Sequence, residues 1–435
     1  MGGFGRWALM LVAVTGGAAA AWGASAPLLT AAQRQNDRVA LSLRHAPAVE
    51  AARAKMLADW GALPAARTAD GKATLQAAVD EAVVAALRSA VADPARPQVL
   101  WTEAPAYSVG KLHVPSGRQG DSPDRIYRFA AMDPQYSYVI HGHRDARPSL
   151  DEFSFEACTP PAAFGKALFH LSSKDIDVAP DGSFTVTADA TPANGRRNHL
   201  YLPPGTANVL IRDTVIDWAT QRPNEVSIER VGGAVAAPRG TAEAAAEAAR
   251  DIADIDELNL PFLTMLWQTP ANQLIAHVRP LAWGMPGSGL GLGRFDLKPG
   301  EALVVTLDPL GGKYLGFTVG DLWMRSVDYW SRTGSLNNHQ ARANADGTIS
   351  YVVSATDPGV FNWLDTGGLR DGVITVRWEG LPPHADIVHA VKGVRVVPIA
   401  QVAAALPDAP RIDAQARRGV LAQREAGYAQ RVKVD

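Results

Sequence analysis

With Cys158 as its only cysteine, the chain can close no internal disulfide and can build neither a Cys-x-x-Cys redox pair nor a thiolate zinc cage. Placed after Phe153 and Phe155, Cys158 reads as a small apolar filler, because no neighbour in the sequence would lower its pKa and make it a nucleophile. An excess of one charge is also missing. Forty-two basic against 44 acidic residues leave a formal charge of −2, so nucleic acid is excluded as a general partner and anionic lipid is not favoured. No apolar run reaches the ~20 residues of a membrane span. Neither a Gly-x-Ser-x-Gly elbow nor a His-Glu-x-x-His helix is present, which removes two common signatures of covalent and zinc-dependent hydrolysis. No cofactor is called for.

The composition is otherwise that of an ordinary globular protein, 47% hydrophobic and 20% charged, and 435 residues suffice for two or three separate cores. Residues 1–26 carry Arg6, an apolar run of about 15 residues from Trp7, and the A-x-A site Ala24-Ser25-Ala26. This pattern predicts a signal peptide cleaved after Ala26 and a periplasmic or secreted mature protein without an integral membrane span. The alternative is an uncleaved, anchored amino terminus.

Residues 27–96 read as helical. Leu75, Val79, Val83, Leu87 and Val91 recur at four-residue steps and form one apolar stripe, whose expected cover is a sheet of the following domain. From 97 to 231 the pattern becomes strands and turns, including residues 125–129, 136–141, 183–187, 209–212 and 226–230, and predicts a first β-sandwich. Residues 232–283 form a helical linker region with an Ala- and Glu-rich helix from about Thr241 to Leu258. A second, jelly-roll-like sandwich is expected over 284–400 and a terminal helix or tail over 401–435. The Gly-rich run 284–293 lacks the Gly-Lys-Ser/Thr of a phosphate loop and reads as a plain loop.

The order Asp181-Gly182-Ser-Phe-Thr-Val, Asn198-His-Leu and Asn208-Val-Leu-Ile-Arg is echoed by Asp346-Gly347-Thr-Ile-Ser-Tyr, Asn362-Trp-Leu and Gly372-Val-Ile-Thr-Val-Arg. Either the two sandwiches descend from one duplication or the echo is chance similarity of β-rich turns. The fold class is therefore mainly β with a helical amino-terminal region and two antiparallel β-sandwiches.

Residues 314–378 hold the densest mixture of aromatic and paired polar side chains. Their motifs are Tyr314…Phe317, Asp328-Tyr329, Asn337…Gln340-Ala341-Arg342, Asp346-Gly347, Asp357-Pro358-Gly359, Asn362 to Thr366 and Arg377-Trp378. In this order they resemble the bacterial family catalogued as domain of unknown function 1214, most clearly over the last third of the chain and more loosely back to Asp124. The resemblance implies a jelly-roll-like sandwich and no established reaction.

Three functional readings fit the residues. In the first, Trp323, Tyr329 and Trp363 wall a cleft of the second sandwich in which Arg325, Asn362, Asp365 and Arg377 fix a polar group of a small, largely apolar ligand. Alternation along residues 373–378 puts Ile374, Val376 and Trp378 in the core and Arg377 on the other face, where Asp365 is the nearest acceptor along the chain. In the second, Asp328 and Asp365 serve that cleft as the acid–base pair of a cofactor-independent hydrolase or lyase. The third is a structural or homo-oligomeric protein using Trp-rich faces. His141 and His143, two apart on a predicted strand, share a face as metal ligands would; without a third ligand they read as two half-exposed histidines beside a turn.

Overall fold

The computed structural model describes residues 28–109, 112–116, 120–145, 152–162, 164–233, 237–278 and 287–431. The expected signal peptide lies outside them. The first elements are α1 (Ala31–Ser42), α2 (Pro47–Ala62) and α3 (Ala69–Val91), with Thr30 and Thr68 capping α1 and α3 by accepting from the amides of Gln33 and Gly71. The stripe through Val79, Val83 and Leu87 is buried, as its period requires. Its cover is helical, however: α2 and the long α4 (Thr241–Gln268) close over it, and Trp60, Ile252, Ile255 and Trp323 share its core. A stripe specifies which face is buried and not by what. Helix α4 continues past Leu258 through Pro261.

The first sandwich pairs a five-stranded sheet with a four-stranded one. In spatial order the larger holds β1 (Leu100–Trp101), β4 (Arg125–Ala131), β10 (Asn208–Thr214), β6 (Phe153–Cys158) and β7 (Ala167–Ser172). The smaller holds β11 (Glu225–Val231), β5 (Ser137–His143), β8 (Ser183–Asp189) and β9 (His199–Tyr201). A separate pair, β2 (Tyr107–Val109) and β3 (Leu112–Val114), lies against α1 and α3 through Tyr107, Leu112 and Val114. Between the sheets, Phe153 and Phe155 meet Phe184, with 5.4 Å between the Phe153 and Phe184 ring centres.

The second sandwich repeats this plan. Its larger sheet runs β12 (Gln273–Val278), β13 (Gly289–Asp296), β19 (Asp371–Glu379), β15 (Tyr314–Gly320), β16 (Ser335–Asn337). Its smaller sheet runs β20 (Val391–Pro398), β14 (Glu301–Leu307), β17 (Ile349–Ser354), β18 (Trp363–Asp365). Set aside β2 and β3, and every strand of the first sandwich has a counterpart at the same place in sheet order and chain order. Each smaller sheet contains one parallel pair, β8 with β9 and β17 with β18. The sequence echo falls on β8, β9, β10 and β17, β18, β19, so local pattern and topology point to duplication together. The second sandwich begins at β12, within the stretch expected to be linker.

Ile374, Val376 and Trp378 fill the inter-sheet core with Phe317, Tyr351 and Val305, in keeping with their alternation. Opposite them on β13 stand Gly293, Gly291 and Gly289. A Cβ at Gly291 would come within 3.1 Å of both Trp378 and Val376, and one at Gly293 within 2.4 Å of the Gln273 carbonyl oxygen. The glycines expected to form a loop are thus, from Gly289 on, the bare core face of a strand that leaves room for the indole. The chain ends in the short α5 (Val402–Ala405) and in α6 (Ala414–Ala429).

Candidate functional site

The aromatic walls of the expected cleft are not gathered at one place. Trp323 lies in the helical core, stacked on Trp60 at 5.8 Å and donating to the Gly71 carbonyl. Tyr329 packs with Trp218, Trp330 and Tyr428. Trp363 sits on β18 beneath Arg417 and donates to the Ser354 carbonyl. These contacts are in three separate clusters because the turn after β15 carries Trp323 up into the helices.

The polar candidates have local partners. Arg325 binds Glu81 of α3 at 3.0 Å and Asp321 at 3.4 Å, and burial pushes both carboxyls upward, Asp321 to about 7, against the pull of that guanidinium. Asp328 accepts from the amides of Trp330 and Ser331, and Asp365 from the amide of Gly367, so each caps its own turn. Asn362 clips Arg342 and Ser350 through their main chains. Arg377 leaves the core face as alternation predicts, but its partner is the Gly120 carbonyl at 2.8 Å and not Asp365, which pairs with Arg332 at 3.0 Å. The physical reason is that β18 and β19 belong to opposite sheets. Arg377 is buried beneath the segment through Gly120. On β5, His141 pairs with Glu229 and His143 bonds the Asp181 carbonyl. Among the described residues no three His, Cys, Asp or Glu side chains gather as a metal site.

The motif residues do converge elsewhere, on a polar knot that ties the two sandwiches together. Asp124, one residue before β4, accepts from Tyr314 at 2.8 Å, Trp218 at 2.9 Å and Asn337 at 2.7 Å, while Arg125 pairs with Glu379. Burial pushes the Asp124 carboxyl up, and the three donors with nearby Arg424 oppose that push. Arg417, Arg424 and Arg431 recur at seven-residue steps, which holds them on one side of α6 and its end, and all three are buried. Each guanidinium lies over an aromatic ring, Arg417 over Trp363 and the other two over Trp218, 4.4 Å away for Arg424 and 4.6 Å for Arg431. Each also donates to main-chain carbonyls, of Phe361, Ser335 and Pro123 in turn. Loss of water pulls Arg424 down to about 10. The seven-residue spacing is present in the sequence, but without an apolar period it does not reveal which face is buried.

Two concave sites stand out. A cleft of about 350 Å³ opens between α1, the start of α2, α3 and the segment after β3. Leu41, Val83, Val84, Leu87 and Pro115 give it an apolar lining. At its charged edge His45 is 3.1 Å from Glu50 and Arg53 is 2.7 Å from Asp80, whereas the exposed Arg44 makes no ion pair among the described residues. A smaller cavity of about 160 Å³ lies where α3 and α4 meet the first sandwich.

No family profile matches the chain, and no curated protein matches its sequence. Among solved structures it is similar to an uncharacterised protein of Burkholderia cenocepacia, 26% identical, with a TM-score of 0.69 over 85% of this chain and 99% of that one. A protein of Vibrio parahaemolyticus matches with 11% identity and a TM-score of 0.36 over 64% of this chain and 89% of the other, which is too distant to carry an argument.

Proposed function

We propose that this protein binds a small, largely apolar organic molecule bearing an anionic group, in the cleft of the helical layer. The observation that carries the reading is one cleft with an apolar lining, Leu41, Val83, Val84, Leu87 and Pro115, under an edge where Arg44 stands beside the His45–Glu50 and Arg53–Asp80 pairs. Its volume falls at the small end of the ~300–1,000 Å³ usual for ligand sites. Each methylene buried on the lining would contribute about 0.8 kcal/mol, and Arg44, already exposed and unpaired among the described residues, can meet an anion without breaking an existing ion pair. The sequence suggests a small, largely apolar ligand in the second sandwich; the anionic group and the helical cleft are new to this proposal.

The same proposal includes export with cleavage after Ala26, supported by Arg6, the apolar run and the A-x-A site. It also includes membership of the domain of unknown function 1214 family, supported by the motifs from Tyr314 to Trp378. The intact mass of the purified protein tests the first.

Thermal shift tests the ligand. Straight-chain carboxylates should raise the melting temperature more than the matching alcohols, and sugars should leave it unchanged. A melting temperature unmoved by every carboxylate overturns the reading.

A further inference from the structure

The smaller cavity has a different chemistry. Ser89 of α3, Glu247 and Asp251 of α4, Asp133 of the turn between β4 and β5, and Thr206 and Asn208 at the start of β10 line it. Asn208 donates through Nδ2 to the Thr159 carbonyl at 3.0 Å, which fixes the orientation of its amide. Its Oδ1 is then left buried in the cavity wall with no donor. An unanswered buried acceptor of this kind is uncommon in a folded protein. Asp251 is 2% exposed and forms no ion pair among the described residues. Arg239, itself part of the wall, donates to the Ala90 carbonyl at 2.8 Å and lies 3.8 Å from Glu243, while Glu247 is paired with Arg250 at the outer edge. The inner wall thus offers the Asp251 carboxylate and the Asn208 amide oxygen, neither of them held in an ion pair among the described residues. A ligand that answers it must bring donors and positive charge.

A bare metal ion does not fit, because the carboxylates in this wall do not gather as a metal-ligand set. Phe129, Ala131 and Met132 add an apolar side that an alkyl group can touch. At about 160 Å³ the space equals several waters at about 30 Å³ each. We propose that this cavity binds a small organic cation, an ammonium group on a short alkyl chain, held between the Asp251 carboxylate and the Asn208 amide oxygen. This site is separate from the helical cleft and does not depend on it.

The titration of Asp251 supports the assignment. Burial pushes its carboxyl up to about 7; Glu247 and Asp254 on the same helix add to this, while a hydrogen bond from Ser89 and the charge of Arg239 oppose it. From the facing turn, Asp133 is the other acidic group at the cavity. A bound cation favours the ionised carboxylate, so affinity should strengthen by about tenfold from pH 6 to pH 8, as the ionised fraction rises through a pKa of about 7.

The probe is n-butylammonium, titrated calorimetrically into the whole protein at pH 6 and pH 8, with n-butanol and Mg²⁺ as comparisons. The expected result is saturable binding of the amine, tighter at pH 8, absent for butanol and Mg²⁺, and lost in Asp251→Asn. Glu247→Gln, nearer the solvent and paired with Arg250, gives an independent second variant and should weaken binding about threefold. Absence of saturable amine binding at pH 8, Mg²⁺ binding in its place, or wild-type affinity in the variants that fold would overturn the proposal.

Discussion

Replacing Asp251 by Asn should stabilise the protein, and the gain should grow with pH. In the folded chain burial raises this carboxyl from 3.8 to about 7, whereas the unfolded chain keeps it near the ordinary value. The folded state therefore holds the proton more tightly. Stability from this group is fully present below about pH 4 and falls as pH rises through about 7, after which it is flat. At about 1.4 kcal/mol for each tenfold change in proton activity, the loss between pH 5 and pH 7 is at most about 3 kcal/mol. Local relaxation should bring this nearer to about 1–2 kcal/mol. Asn is almost the same shape, can still accept from Ser89, and carries no charge at any pH. Asp321 and Glu81 are shifted in the same direction but are common to both proteins, so the difference between variant and wild type isolates Asp251. Urea unfolding at pH 5, 7 and 8.5 in amine-free buffer reads it. Near-equal stabilities at pH 5 and a variant ahead by about 1–2 kcal/mol at pH 8.5 are expected. A constant difference across pH, or a variant weaker at pH 8.5, would refute the reasoning.

Other expectations follow from the packing. Arg424→Met strands the buried carbonyls of Tyr329 and Ser335 and should cost about 2–4 kcal/mol, read as a fall in urea midpoint with unchanged slope. Arg377→Met leaves Asp365 with Arg332 and orphans only the Gly120 carbonyl, so the cost should be about 1–3 kcal/mol; no loss of stability would mean that Arg377 is not held there. Gly293→Ala drives a methyl into the Gln273 carbonyl and should destabilise far more than an Ala at Gly393, which has open space and no positive φ, a comparison thermal melts can make.

The strands could be read from the sequence because alternation is local: Ile374, Val376 and Trp378 face the core for the reason their spacing gives. The echo between residues 181–212 and 346–377 was legible for the same reason, and the matched topology gives it structural weight. What the sequence hides is which distant segments meet. Asp365 is near Arg377 along the chain but on the other sheet, while Asp124 meets Tyr314 and Asn337 across 190 and 213 residues of chain. The stripe over Val79, Val83 and Leu87 announced a buried face without naming α4 as its cover. Residues 289–293 looked like a loop because glycine content was weighed without the indole of Trp378 that needs the space. Neither concave site carries a motif, since each is formed by ordinary residues from elements well separated along the chain.

Calorimetric titration of decanoate into wild type, Arg44→Glu and Arg377→Met tests most directly whether a small apolar anion occupies the helical cleft. Saturable binding to wild type is expected, weakening by about tenfold or more in Arg44→Glu, with unchanged affinity in Arg377→Met provided that variant remains folded. Binding that survives Arg44→Glu intact but disappears in folded Arg377→Met would contradict the account and return the site to the second sandwich.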